Sequence, residues 1–525
     1  MTGLDPARLA VLIARLTGVA EEMLTVLRRS ASSPNIKERA DCSTALFTPS
    51  GELLVQSESI PVHLGSMPAS VAAAIAAFDG GSALAPGEQV ILNDPFAGGT
   101  HLNDITLVAP CREAGDGGRL LGWVANRAHH ADVGGMVPGS IPPEADEVFQ
   151  EGLRLPPVRA TDDVVAVLLA NSRTPDERRG DLDAQLGANA VGAARLAAIA
   201  VEGWDLDEVL AYGERRMRAA LAALPDGTWR FEDVLDSAGP APEQQHPSPV
   251  VVSVTLAGEE VTFDFEGTAA QQRGNVNAVR AVTESAVAFA LRCVADPTIP
   301  ANGGALRPVH VVTRPGTVVD ARPPAAVGAG NVEVSQRVAD VCLGALAQAV
   351  PGQVAAAGQG TMNNVVIGGD GFVYYETVGG GQGGIKGEPG ESGIHTGMTN
   401  TSNTPIEALE RAYPMRVRRY TLRRGSGGPG RWPGGDGIER DLEMLEDVTM
   451  SLITERRASR PWGLAGGEPG LPGENWLLPG GDESKAERLL DKCTIRMKAG
   501  DVLRMLTPGG GGWGYPPASS ARGHT

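Results

Sequence analysis

The 525-residue chain is poor in the features that mark several functional classes. Its five cysteines, Cys42, Cys111, Cys293, Cys342 and Cys493, include no C-x-x-C pair, which argues against both a disulfide framework and a zinc ribbon and favours a reducing compartment. Positive charge is scarce: 45 Lys and Arg against 63 Asp and Glu give a net charge of -18, the wrong sign for a phosphate-backbone partner. No run of 18 apolar residues is present, and the N-terminus carries Asp5 where a secretion signal needs a cationic start. These absences predict a cytoplasmic protein with neither nucleic acid nor membrane as partner. There is no Gly-Lys dipeptide and hence no Walker A loop, and no G-x-S-x-G nucleophile elbow, so any ATP site is unconventional or on another chain.

What the chain has in excess is glycine, 69 residues, about double the usual share. Asp5-Pro6 followed by Leu9, Leu12, Leu16, Val19, Met23 and Leu27 predicts an amphipathic opening helix capped by Asp5. A hairpin over residues 45–55, a helix over 68–78 and a short strand Val90-Ile91-Leu92 follow. Thr174-Pro175-Asp176-Glu177 reads as a capping box opening a long helix towards Ala200, with a second helix around 206–224. Short strands then alternate with alanine-rich helices near 280–295 and 335–349. The fold class expected is α+β (mixed α/β) and multidomain, with antiparallel hairpins at a metal site and a glycine-rich, β-rich C-terminal region. The units expected are 1–245, 246–350 and 351–525. Gly379 to Gly384 contains G-x-G-x-x-G, but Lys386, Gly387 and Pro389 deny it the helix that a dinucleotide fingerprint requires, so it reads as a tight-turn loop. Pro508 to Gly512 reads as an anion cradle or, more simply, a place where chains pass closely.

Three of the eight histidines fall within 30 residues, in Thr100-His101-Leu102-Asn103-Asp104 and Arg127-Ala128-His129-His130-Ala131-Asp132. Strands 105–110 and 120–125 should pair across the polar loop from Cys111 to Arg119, setting His101 opposite His129 and Asp104 opposite Asn126. His101, Asp104 and His129 then converge at one open end. Two imidazoles and a carboxylate form a three-ligand set for a catalytic divalent ion with an open position, and Asp41 is a possible fourth ligand. Successive residues on a strand face opposite ways, so His129 and His130 cannot easily share one ion. Histidine ligation favours a transition metal, zinc or manganese, over magnesium. The competing reading is that these side chains cap strands and satisfy turns.

Longer motifs add a resemblance. Glu38-Arg39-Ala40-Asp41-Cys42-Ser43, Val62-His63-Leu64-Gly65-Ser66-Met67, Asn93 to Asp104, Asn126 to Gly135, Gln150-Glu151-Gly152, Gly330-Asn331-Val332-Glu333, Met398-Thr399-Asn400-Thr401 and Thr507 to Gly512 stand in this order. With them the chain resembles, over nearly its whole length, the hydantoinase B family, the B-type subunits of hydantoinases and 5-oxoprolinases, relatives of the α subunits of acetone and acetophenone carboxylases. Asn103, where the family commonly has proline, and the long loop at Glu113 to Arg119 depart from the pattern. The resemblance implies a metal held by Asp41, His101, Asp104 and His129. It also implies an A-type partner carrying ATP and magnesium, in a heterotetramer or larger complex, and ring opening of a hydantoin, 5-oxoproline or similar lactam after phosphorylation by that partner. His130 or Asp132 would carry a proton or orient a ligand, with His63 a weaker candidate. The alternatives are a ketone carboxylase α subunit, which the shared ligands do not separate, and a scaffold with a structural metal.

Overall fold

A computed structural model describes residues 5–57, 59–115 and 118–517. The opening helix runs Pro6–Ser30 and buries Leu9, Leu12, Leu16, Val19, Met23 and Leu27, the stripe its spacing predicts. Asp5 occupies the cap position without a side-chain cap bond. The long helix Pro175–Ala200 forms as expected, but its capping box does not. The Thr174 hydroxyl instead accepts from the buried Arg178 guanidinium at 3.2 Å, and Glu177 pairs with the same group. A buried cation needs those acceptors more than the helix end does.

Six strands form the sheet that carries the site: β1 (Cys42–Phe47), β2 (Leu53–Gln56), β3 (Val90–Leu92), β4 (Asp104–Arg112), β5 (Leu120–His129) and β6 (Val158–Arg159). Their order is β2-β1-β5-β4-β3-β6, with every neighbour antiparallel. Because side chains alternate along a strand, Ala45 and Phe47 pack with Trp123 under the helix Met67–Ala77. Leu46 and Val124 face the other way, towards the helices Pro6–Ser30 and Pro175–Ala200. The sheet is thus covered on both sides, and its polar side chains are buried with it.

The β4–β5 hairpin forms in a different register from the one expected. Asp104 lies directly opposite His129, and Asn126 faces Leu107. β4 runs further into the loop than expected, to Arg112, while β5 starts at Leu120 as expected and continues to His129, with an irregularity between Cys111 and Arg112 that takes up one residue. The pairing is thereby slid by three positions.

A second sheet, Val309–Val312, Glu260–Asp264, Ser248–Ala257 and Gly227–Leu235 in that order, has one parallel pair at its 309–312 edge. It packs with the helices Arg280–Arg292 and Ser335–Ala349 in the largest hydrophobic core. Two further antiparallel sheets, of four and five strands, lie beyond residue 360 and share a core around Tyr374, Leu442, Met450 and Leu503.

Glycine-rich segments from that C-terminal part lie side by side, bonded backbone to backbone. Gly384 donates to the Gly511 carbonyl at 2.9 Å, Gly428 to Gly510 at 2.8 Å, Gly510 to Gly435 at 2.9 Å and Gly511 to Ala357 at 2.8 Å. A β-carbon on Gly381 would stand 2.0 Å from the Gly435 oxygen, and one on Gly511 2.0 Å from the Trp462 oxygen. Residues 379–384 are therefore not the tight turn expected: none has positive φ, and their glycines serve close approach. The amides of 509–512 are consumed by this packing, which settles the cradle alternative in favour of chains passing closely.

Candidate metal centre

The site begins with a turn. The Asp104 amide donates to the His101 carbonyl at 3.1 Å, so His101 leaves the strand line and folds back beside Asp104. On a continuous strand residues three apart would face opposite sides. His129 arrives from β5 as the cross-strand partner of Asp104. One ligand atom from each of His101, Asp104 and His129 lies within 4.8 Å of the others.

Asp104 divides its two oxygens. Oδ2 accepts from Thr100 Oγ1 at 2.8 Å and Asn331 Nδ2 at 3.1 Å, with His63 Nε2 3.5 Å away. Oδ1 lies 3.1 Å from His101 Nε2 and 3.3 Å from His129 Nδ1. The alignment there is wrong for hydrogen bonds, and Oδ1, His101 Nε2 and His129 Nε2 are all buried without a partner. An orphaned polar atom on each of three clustered side chains, at 0–3 % exposure, is costly unless something binds it. Two imidazole nitrogens and a carboxylate oxygen suit a divalent transition metal, so the residues present fit the ion.

The electrostatics agree with that fit. Burial disfavours the carboxylate of Asp104, yet His101, His129 and His63 outweigh it and hold its pKa well below the usual range. Burial drives His129 down to about 3, leaving a neutral imidazole with a free lone pair. Burial also opposes charge on His101, but the Asp104 carboxylate and the Gly328 carbonyl outweigh it and raise its pKa. A bound cation would reverse that preference for the protonated form.

Asp41 stands outside this trio and lines the same narrow cleft, together with His63, Asn331, Tyr375 and Thr399. Burial pushes its carboxyl up to about 7, with Arg39 opposing. His130 follows directly after the end of β5. Its Nε2 meets Gln185 Oε1 at 2.8 Å, and burial lowers its pKa to about 4. Asp132 clamps a loop: Oδ1 accepts from the Gly134 and Arg173 amides, Oδ2 from the Gly139 amide and the Arg173 side chain. The structure thus clusters His101 with Asp104 and His129, and lines one cleft with Asp104, His129, Asp41 and His63, to which His130 and Asp132 contribute no wall.

Several supporting residues have no nearby counterpart in sequence. Asn331 and Glu333 sit on a π-helical turn, Gly330–Val334, a local feature common at functional sites. Glu151 accepts from the Val327 and Gly328 amides, fixing the carbonyl that meets His101 Nδ1 at 3.3 Å. Asn331, Glu333 and Glu151 all lie in motifs visible in the sequence, without a partner to reveal their role.

Among the described residues no helix is long and apolar enough to cross a membrane. The chain is 37% identical to an uncharacterized protein of Methanocaldococcus jannaschii, over 98% of this chain and 91% of that protein. It is 36% identical to 5-oxoprolinase 1 of Arabidopsis thaliana over 97% of this chain, but spans less than half, 42%, of that longer protein. The B-type component of a putative D-/L-hydantoinase from a Pseudomonas species is 31% identical over 98% of this chain and 90% of its own length. Among solved structures, ATP-dependent caprolactamase from Pseudomonas jessenii superposes with a TM-score of 0.90 at 27% identity, covering 99% of this chain and 93% of that one. Nucleotide-free acetone carboxylase shares the fold, with a TM-score of 0.88 at 19% identity over 97% of this chain and 76% of that one. With the hydantoinase B/oxoprolinase family model matching residues 5–516, the chain belongs to that family.

Proposed function

We propose that this chain is the metal-bearing hydrolytic component of an ATP-dependent cyclic-amide hydrolase, working with an A-type partner that binds ATP. The observation that carries the reading is the buried trio of His101, Asp104 and His129, with its unpartnered ligand atoms, in a chain of this family. Kinship with proteins named 5-oxoprolinase and D-/L-hydantoinase, and the likeness to a caprolactamase, support the cyclic amide as substrate.

An amide is a poor electrophile, and phosphorylation of its oxygen by the partner makes it a better one. His101, Asp104 and His129, with Asp41 beside them, would hold a divalent zinc or manganese ion, which would supply Lewis acidity towards an oxygen on the reacting carbon and towards water. The chain's own residues set the geometry. Thr100 and Asn331 turn the Asp104 carboxylate so that Oδ1 faces the imidazoles. The Gly328 carbonyl fixes the ring of His101, and Glu151 fixes Gly328. Asp41, pushed up to about 7 by burial, is placed to hold or release a proton at the cleft. In this reading His130 and Asp132 orient the segment that delivers His129 and carry no proton to substrate.

The test is phosphate release and ring opening by this chain mixed with its A-type partner and ATP, offered 5-oxoproline, hydantoins, caprolactam, or acetone with bicarbonate. Ring opening that needs both chains and is lost in His101→Ala is the expected result. Bicarbonate-dependent consumption of acetone would transfer the chain to the carboxylases. A metal-loaded complex inert to every substrate would make it a scaffold.

A further inference from the structure

The cleft at the trio has about 20 Å³ of free space, enough for one or two water-sized ligands. A ring of five or more heavy atoms does not fit there, so the substrate must rest elsewhere while its reacting carbon reaches the trio. A cavity of about 720 Å³ beside Arg280 and His310 shares no wall with the cleft. Two others do. A cavity of about 340 Å³ shares Thr399 with the cleft. A groove of about 520 Å³ shares Ile60 with the cleft, and Pro61, Phe289 and Cys293 with the 340 Å³ cavity.

The wall of the 340 Å³ cavity says what it can hold. It presents neutral groups, Gln336, Gln382, His395, Thr396 and Asn400, and no Lys or Arg stands among its described lining residues. The one carboxylate there, Asp340, is spent on Arg337 at 2.9 Å and Arg456 at 2.7 Å. His395 keeps Nδ1 without a partner while its Nε2 meets Asn403. A ring amide finds donors and acceptors in this cavity. Among the described residues no cation lines this cavity to offset the desolvation of a free carboxylate on the ring.

We propose that the 340 Å³ cavity is the chamber in which the substrate ring lies, entered from the groove at Pro61, Phe289 and Cys293 and joined to the metal cleft at Thr399, and that it takes uncharged cyclic amides. The route stands on the cavities alone; the class of substrate rests on the function proposed above.

Cys293 gives a handle, since it is the exposed cysteine while Cys42, Cys111, Cys342 and Cys493 are buried. The experiment uses the full chain loaded with zinc and a benzyl methanethiosulfonate that labels Cys293, with Cys293→Ser as the control. Labelling is expected to slow loss of the metal to excess phenanthroline in solution about tenfold by obstructing the ion's way out. Ala355→Trp, which fills the same cavity from a different wall, should do likewise. Pyrrolidone is expected to protect Cys293 from the reagent, and 5-oxoproline, the same ring with a carboxylate, to protect it far less. Unchanged stripping in both the labelled protein and Ala355→Trp would overturn the chamber. Equal or better protection by 5-oxoproline would overturn the preference for uncharged rings. Slowed stripping with no protection by either ring would keep the route and remove the cyclic-amide reading.

Discussion

Tyr375 lies flat on His129, with ring centroids 4.4 Å apart and planes inclined by 17°. Its hydroxyl donates to Asn364 Oδ1 at 2.9 Å, and Asn364 Nδ2 donates to Glu333 Oε1 at 2.8 Å. Arg39 also covers the Tyr375 ring, 5.1 Å from its centroid, and Asn35 holds the His129 carbonyl. The His129 ring is thus positioned by packing where the side chains of His101 and Asp104 are positioned by hydrogen bonds. Tyr375→Ala should weaken metal affinity by about 10-fold or more, as loss of a ligand's outer support does, while Tyr375→Phe, which keeps the stack, should lose far less. Competition titration against a chromogenic chelator reads the difference; equal losses in both variants would mean that the hydroxyl chain, and not the stack, sets the ring.

Metal content is the second expectation. The purified chain should carry one zinc or manganese per molecule by elemental analysis, and Asp104→Asn or His129→Ala should carry almost none. Asp104→Asn is nearly isosteric and can still accept from Thr100 and Asn331, so its melting temperature in the presence of chelator should match that of the wild-type apo-protein. A variant that loses its metal and also melts far below the apo-protein would show that the carboxylate acts chiefly as structure.

The candidate trio was legible in the sequence because its members sit within 30 residues, at the open end of one hairpin. The register was not. A polar loop does not announce where its strands stop, and the three-residue slide put Asp104, rather than His101, opposite His129. The turn that brings His101 back beside Asp104 rescued the convergence by a route that counting along strands does not contain. Asn331 and Tyr375 lie more than 200 residues from β4, so their part in the site exists through tertiary packing alone. The hydrophobic spacing of 6–30 and the apolar run 90–92 translated directly into elements, since burial by period is a local signal. The failed cap at Thr174 shows the reverse case, in which a buried partner outbids a local pattern.

Acid should weaken the fold through His395. Burial lowers its pKa to about 4, so the folded chain binds its proton less well than the unfolded chain, whose imidazole titrates near 6.5. The stability this neutral ring allows is fully present above pH 6.5 and is lost as pH falls towards 4. Between pH 7 and pH 5 the loss is about 2 kcal/mol. Denaturant midpoints at the two pH values should therefore fall less for His395→Gln than for wild type, and an identical fall in both would mean that the ring is solvated in the native state.

Glycine substitutions should separate the two uses of this residue. Gly187, inside the helix Pro175–Ala200, has nothing within 4 Å of the place where a β-carbon would go. Gly187→Ala removes unfolded-state freedom at no steric cost, and should stabilise by up to about 1 kcal/mol. Gly192, further along the same helix, faces Met23 with its sulfur 2.2 Å from that place, so Gly192→Ala must displace a flexible side chain and should cost about 1 to 3 kcal/mol. Gly511 has no such escape, because the obstacle is the Trp462 backbone carbonyl at 2.0 Å inside a stack of chains that all depend on one another's amides. Gly511→Ala should therefore exceed about 4 kcal/mol or fail to yield folded protein, a size reserved for a short list of mechanisms. Melting curves of the three variants fix the order, and a mild Gly511→Ala would show that the stacked segments can part without unfolding the rest.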